Sequence, residues 1–294
     1  MVAANHDRSE RRIGIIGPGR VGATLAEAFH LAGYAVAVAY GRRPEAVNAV
    51  ADRVPGLLAA GTPQAVANLS DIVFIAVSDD AIDRVCDGVT WRPDHAVVHC
   101  SGARELDALQ AAANAGAVVG SFHPLQMFAS PAAALATLPG CTIAVEGTGE
   151  LLDWLDGMAR RLQCRPIRLP AGHRALYHAS AYYVGPFLIA LMQEAAVIWR
   201  ALAVDERGTL DALATLLRGT VAAVMEGGLA AGMAGCVARG DVGTVARHVE
   251  ALEAFNPKMA ALYRTLALRT VPLALARGTL GAEAAERIRV VLAQ

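Results

Sequence analysis

The run Ile13-Gly14-Ile15-Ile16 followed by Gly17-Pro18-Gly19-Arg20-Val21-Gly22 constrains this chain more than any other stretch. Behind it, Leu25 and Phe29 fall at i and i+4 and Gly33 marks a stop. An apolar strand feeding a G-x-G-x-x-G turn and then an apolar helix is the strand-turn-helix that holds a dinucleotide pyrophosphate. Each glycine has its own steric reason. Gly17 makes the tight turn, Gly19 keeps the backbone open to phosphate oxygens, and Gly22 lets the helix lie close on the strand. Free N–H groups at the helix start, at the positive end of its dipole, then face the anion. Gly17, Pro18, Gly19, Arg20, Val21 and Gly22 are therefore candidate cofactor contacts.

A second apolar strand, residues 35–39, runs into Tyr40-Gly41-Arg42-Arg43-Pro44-Glu45. An NAD site ordinarily has an acidic residue at the end of this strand to hold the ribose 2′-hydroxyl. Here Arg42 and Arg43 stand in that place, and guanidinium forks match a 2′-phosphate. NADP is the expected cofactor, with NAD the less favoured one. Glu45, directly after Pro44, reads as a first-turn residue of the next helix.

Strand and helix signals then alternate. Residues 71–77 form a continuous β-branched run of the kind buried on both faces of a parallel sheet. Its exit supplies two more candidate cofactor contacts, Val77 and Ser78. Further strands are expected at 96–99, 117–119, 141–145 and 166–169, with a helix over 150–162. Past residue 171 strand signals vanish, and helical runs follow at about 172–203, 205–226, 241–255, 257–277 and 282–293. Asp241 is a plausible N-cap and Gly278 a C-terminal stop. The expected architecture is an α/β Rossmann domain with a doubly wound, mostly parallel sheet over residues 1–170, with 1–11 as a flexible tail. An all-α domain for substrate binding or dimerisation follows over 171–294.

Composition excludes several classes. A net charge of −1 argues against nucleic-acid binding, which needs a basic face. Five scattered cysteines contain no C-x-x-C pair and suggest reduced thiols in a cytoplasmic protein. Residues 1–12 lack the apolar core of a signal peptide. The most apolar stretch, 179–192, is broken by Gly185-Pro186 and reads as too short for a membrane span.

Chemistry is expected in the loops after successive strands. Three clusters stand out there: His99-Cys100-Ser101-Gly102, His123-Pro124-Leu125-Gln126 and Tyr177-His178. Reduction by a nicotinamide needs close approach of hydride donor and acceptor, and a proton donor for the atom that gains charge. His178 could supply that proton, since imidazole ordinarily titrates near neutrality, and Tyr177 could hydrogen-bond the same charge. Ser101 with the Gly102 N–H could hold a carboxylate or carbonyl, and His123 could orient either partner. No metal-ligand spacing joins the histidines, so no metal is expected. The G-x-S-x-G elbow of a serine hydrolase is absent.

With these residues the chain resembles the Rossmann-like proteins with a DUF2520 C-terminal domain, relatives of pyrroline-5-carboxylate and ketopantoate reductases. The likeness rests on Gly17 to Gly22, Val73 to Asp80, His99 to Ala103, His123 to Phe128, Leu176 to Ala179, and Ala238-Arg239-Gly240-Asp241 with His248. It implies an NADP-dependent oxidoreductase whose helical domain builds a homodimer and completes the active site. Three departures matter. The group commonly has a lysine where Arg174 stands, Ser-Asn where Gly185-Pro186 stands, and Leu-Thr-Gly-Pro where Met233-Ala234-Gly235-Cys236 stands. Related reductases use the lysine and asparagine to polarise a carbonyl. Arg174 would act as an electrostatic clamp, since it does not readily release a proton.

The expected function is NADP-dependent reduction of a small carbonyl or imine in a pocket between the domains. The alternatives are a ketopantoate-type reductase and a non-catalytic NADP-binding sensor or scaffold.

Overall fold

Eight strands lie side by side in the order β3-β2-β1-β4-β5-β6-β7-β8 in a computed structural model that describes residues 11–294. The tail expected at the N-terminus thus falls, except for Arg11, outside the described residues. The strands are β1 Ile13–Ile16, β2 Val36–Tyr40, β3 Leu58–Ala59, β4 Ile72–Ile75, β5 Ala96–His99, β6 Val118–Leu125, β7 Thr142–Gly147 and β8 Arg165–Arg168. Between them run helices α1 Arg20–Leu31, α2 Pro44–Ala51, α3 Pro63–Leu69, α4 Ile82–Asp87, α5 Gln110–Asn114, α6 Pro131–Thr137 and α7 Gly149–Arg161, and α8 Arg174–Val184 follows the last strand. All neighbouring strands pair in parallel except β6 and β7, which are antiparallel.

Side chains of β4 show why its sequence is uniformly apolar. Ile72 and Phe74 join the core on one face, and Val73 and Ile75 join the core on the other. Both faces are covered, as a parallel sheet with helices on each side requires. Phe29 of α1 meets Phe74 and Phe122 with ring centroids 4.9 and 5.9 Å apart. This aromatic cluster fixes α1, and with it the glycine turn, on the sheet.

β6 departs from the expected short strand. It continues through Leu125 because β7 pairs with it from Gly120 to Leu125. His123 therefore sits within a strand opposite Ala144, not in a loop beyond it.

The chain divides into two compact units, one ending at Pro186 and the other spanning Phe187–Gln294. The boundary drawn near residue 170 marks where strands end, yet α8 stays with the sheet. Its hold is polar. The Glu105 carboxylate accepts the backbone N–H groups of Gly172 and Arg174, and the Arg174 side chain passes into the sheet.

In the second unit α9 Pro186–Ala201, α10 Glu206–Gly232, α11 Val242–Phe255, α12 Pro257–Arg277 and α13 Ala282–Ala293 carry all the regular structure. Val245, Val249, Val271, Ala274, Ile288 and Leu292 form its core. Asp241 stands at the N-cap of α11, but its carboxylate pairs with Arg239 at 2.9 Å instead of capping the backbone. Gly278 ends α12 in the left-handed conformation, where a side chain would be strained. Helix α10 extends past its expected end at 226 and turns at Gly228, whose φ of 79° breaks the helical geometry.

Helix length also changes one expectation. The segment Arg174–Ala201, interrupted only near Gly185, has 28 residues, and Glu206–Gly232 has 27; both are long and apolar enough to cross a membrane by length and composition. The stretch thought too short is therefore part of a longer helical run. Apolar side chains such as Phe187, Ile189, Leu216, Met225 and Leu229 are exposed along α9 and α10.

Candidate functional site

At the carboxyl ends of β1, β2 and β4 lies a cavity of about 650 Å³. Its wall includes Gly17, Pro18, Gly19, Arg42, Arg43, Val77 and Ser78, seven of the ten residues expected to contact a cofactor. Val21 lines a neighbouring cavity, while Arg20 and Gly22 line neither.

The glycines have the steric surroundings the motif needs. Gly17 has φ +93°, and a Cβ there would stand 2.8 Å from the Ala76 carbonyl oxygen. Gly22 packs so closely that a Cβ would lie 2.3 Å from the Gly17 carbonyl oxygen. Around Gly19 nothing lies within 4 Å, so its backbone faces open space. Gly19 caps α1 without a side-chain hydrogen bond, which leaves the first-turn N–H groups for an anion. Arg43 caps α2 and Glu45 occupies its first turn, as Pro44 foreshadowed.

One wall residue escaped the sequence reading. Arg84 of α4 lines the same cavity as Arg42 and Arg43, and all three are exposed. None of the three has a carboxylate partner among the described residues. The signal was present in Asp83-Arg84-Val85, but no periodicity distinguishes a helix arginine beside a cavity from a solvated one. These residues fit a dinucleotide with a 2′-phosphate: open backbone donors at one end and unpaired guanidinium groups at the other.

A second cavity of about 280 Å³ shares Ala76 and Val77 with the first. Ser101, Gly102, His123 and His178 line it together with Asp79 and Gln126. Here the three clusters of the sequence do converge. His123 Nδ1 and the Tyr177 hydroxyl lie 3.0 Å apart in a hydrogen bond. The His123 and His178 rings meet edge to face with centroids 5.8 Å apart. Tyr177 stands behind His123 and does not line the cavity. Gly102 is what allows this packing, since a Cβ there would lie 2.5 Å from His178 Cδ2 and 2.8 Å from His123 Nε2.

Burial settles several protonation states. The His123 pKa is pushed down to about 3 by burial first and by the Arg174 charge second. Its imidazole is therefore neutral near pH 7, and one ring nitrogen accepts where the other donates. Burial pushes the Tyr177 hydroxyl up to about 12 and the Cys100 thiol to about 12, so both keep their protons. Cys100 is thus no nucleophile.

Two expected roles change. The Ser101 hydroxyl oxygen accepts hydrogen bonds from the backbone N–H groups of Ala103 and Arg104, at 3.1 and 3.0 Å. It shapes the turn and keeps only its own proton to offer. His99 is fully buried below this loop and outside the cavity wall. Its Nδ1 accepts the Ser101 N–H at 3.2 Å, and burial pushes its pKa down to about 3.

Arg174 corrects the clamp expectation most clearly. Its side chain is 0% exposed. It donates to the Ser121 hydroxyl at 2.6 Å, the Ser101 carbonyl at 2.6 Å and the Glu146 carboxylate at 3.3 Å. Burial raises the Glu146 pKa, with the Arg174 charge opposing. The guanidinium holds β6, β7 and the loop after β5 to the start of α8, and its full burial leaves no face of it for substrate. Gly185, in the second departure, has φ −106° and ψ −98°, so α8 ends there and α9 begins at Pro186. Among the described residues, no group of three or more His, Cys, Asp or Glu side chains is arranged to hold a metal ion.

Two stretches of the chain match known family models. Residues 12–103 match the family described as NADP oxidoreductase, coenzyme F420-dependent, and residues 141–270 match the DUF2520 domain. No curated protein matches the sequence. Among solved structures, a Thermotoga maritima protein superposes with TM-score 0.72 at 20% identity, covering 90% of this chain and 99% of its own. A reductive aminase from Aspergillus terreus, solved with NADPH and ethyl-5-oxohexanoate, gives 0.61 at 17%, covering 97% and 93%. A pyrroline-5-carboxylate reductase from Streptococcus pyogenes gives 0.58 at 14%, covering 74% and 80%. At these identities the structural likeness speaks for the fold, and the two family matches speak for the class: the chain is an oxidoreductase with an NADP-binding Rossmann domain and a DUF2520 C-terminal domain.

Proposed function

We propose that the chain reduces a small carbonyl or imine at the cavity formed by His123 and His178. The observation that carries this reading is the junction of the two cavities at Ala76 and Val77. Gly17 to Gly19 and Arg42-Arg43 would hold a dinucleotide at the carboxyl ends of the strands, where Ala76 and Val77 at the exit of β4 join this cavity to that of the histidine pair. When bound, NADPH supplies a hydride.

The chain's own residues supply position and a proton. His178 lines the cavity and is the better proton donor; Tyr177, hydrogen-bonded to His123, holds that imidazole in one orientation. With Nδ1 hydrogen-bonded to Tyr177, neutral His123 has Nε2 left for the substrate heteroatom, as donor or acceptor according to its tautomer. Ser101 contributes its hydroxyl proton. The lysine and asparagine of related reductases have no counterpart on this wall, so polarisation falls to the histidine pair.

We also propose that a homodimer forms through the helical unit, a reading supported by the exposed apolar side chains of α9 and α10. Mass measurement in solution without detergent tests it, and a monomer would refute it.

For the reaction, NADPH and NADH are titrated by fluorescence, and carbonyls and cyclic imines are screened for cofactor oxidation. His178→Ala should lower turnover by about 100-fold or more with cofactor affinity kept. An unchanged rate removes His178 from the mechanism. Tight NADPH binding without turnover over a broad panel would identify a sensor instead.

A further inference from the structure

We propose that Asp79 selects the substrate of the histidine cavity, and that the substrate is a small organic cation, an iminium or the protonated amine it yields, in preference to a 2-oxo acid. This rests on the reductase reading and narrows it to one substrate class.

Asp79 opens the 3-10 turn Asp79–Ala81 that follows β4 and lines the cavity beside Val77. Among the described residues it is the only Asp or Glu on that wall, and no lysine or arginine shares it. Asp79 forms no ion pair among the described residues; the Arg104 charge acts on it only through space, and that guanidinium and Arg174 are hydrogen-bonded elsewhere. Arg104 holds both carboxylate oxygens of Asp83 at 2.7 Å. Arg174 is buried, and its two Nη groups donate to Ser121, Glu146 and the Ser101 carbonyl. Lys258, the only lysine, lies in the second unit.

A carboxylate ligand would therefore meet Asp79 with no lysine or arginine on that wall to receive it. Like charges brought together in a partly dry cavity repel. A ligand bearing an N–H⁺ meets the opposite situation, a carboxylate already on the wall and free to accept a charge-assisted hydrogen bond. The serine, the glutamine and neutral His123 of the remaining lining carry no charge that would reverse that preference.

Binding by itself tests the inference. Piperidine, cationic at neutral pH, and pyruvate, anionic, are titrated calorimetrically into the NADP⁺-loaded full chain, its Asp79→Asn variant and its Asp79→Glu variant. Circular dichroism and NADPH titration show whether each variant is folded. Piperidine should bind the native chain, lose about tenfold or more in affinity in D79N, and recover in part in D79E. Pyruvate should bind D79N at least as well as the native chain. Equal piperidine affinity in D79N, no piperidine binding to the native chain, or tighter binding of pyruvate than piperidine would overturn the proposal. The expected binding pattern without turnover of any carbonyl or imine would defeat the reductase reading alone. Efficient reduction of a 2-oxo acid, unaffected by D79N, would defeat the Asp79 assignment alone.

Discussion

Replacing Arg174 by alanine removes a buried side chain that ties β6, β7 and the loop after β5 to the helix carrying Tyr177 and His178. Three contacts vanish together: 2.6 Å to Ser121, 2.6 Å to the Ser101 carbonyl and 3.3 Å to Glu146. Glu146 is left as a nearly buried carboxylate without its partner. Breaking one side of such a pair typically costs about 3–5 kcal/mol, most of it the stranded charge. For a unit of this size each kcal/mol moves the melting temperature by about 2–4 °C, so a drop of roughly 6–20 °C is expected. Urea and thermal unfolding followed by circular dichroism measure it. The double variant R174M/E146M separates the explanations, because removing both charges should restore at least half of the loss. Catalysis should report the same event differently. With α8 released from the sheet, kcat should fall sharply while NADPH affinity, set by the other cavity, stays. A loss under about 1 kcal/mol in R174A, or a double variant worse than the sum of the singles, would refute the buried latch.

Further expectations follow from the same geometry. His99 has a folded pKa of about 3 against an ordinary value near 6.5, so the unfolded chain binds the extra proton between those values. Stability should be full above pH 6.5 and fall as pH drops toward 3, by about 1 kcal/mol per unit for His99 and less for half-buried His123; urea midpoints at pH 7, 6 and 5 should fall more steeply in the native chain than in His99→Gln, and parallel curves would disprove the account. Gly102→Ala should push His178 and His123 apart and reduce turnover at least tenfold with NADPH binding unchanged; a fully active variant would mean that the ring packing is irrelevant to the reaction. Arg84→Ala should weaken NADPH about 3- to 10-fold and leave NADH unaffected, as fluorescence titration would show, while equal loss for both cofactors would rule out a 2′-phosphate contact.

Local sequence carried the parts of this protein whose physics is local. Gly17, Gly19 and Gly22 announce a turn that other side chains cannot make or cannot leave open, so the motif fixes its own conformation. Strand β4 declared burial on both faces through an unbroken apolar run, and the helices Pro257–Arg277 and Ala282–Ala293 match the expected helical runs, with Gly278 as the stop between them. The expectation that chemistry gathers at the carboxyl edge of the sheet led to Ser101, His123 and His178, although His123 stands within β6 and His178 on α8.

What only the tertiary structure decided depends on partners far apart in the chain. Arg174 looked like a lysine substitute facing substrate, and it turned out to be a buried latch because Ser121 and Glu146, on two other strands, offer it a better home. β6 lengthened because β7 returns alongside it antiparallel, which no property of residues 120–125 specifies. Arg84 and Asp79 became wall residues only when the exit of β4 was set beside the glycine turn. Backbone conformation is written in neighbours along the sequence, whereas the charge and shape of a cavity are the sum of side chains that folding brings from separate strands.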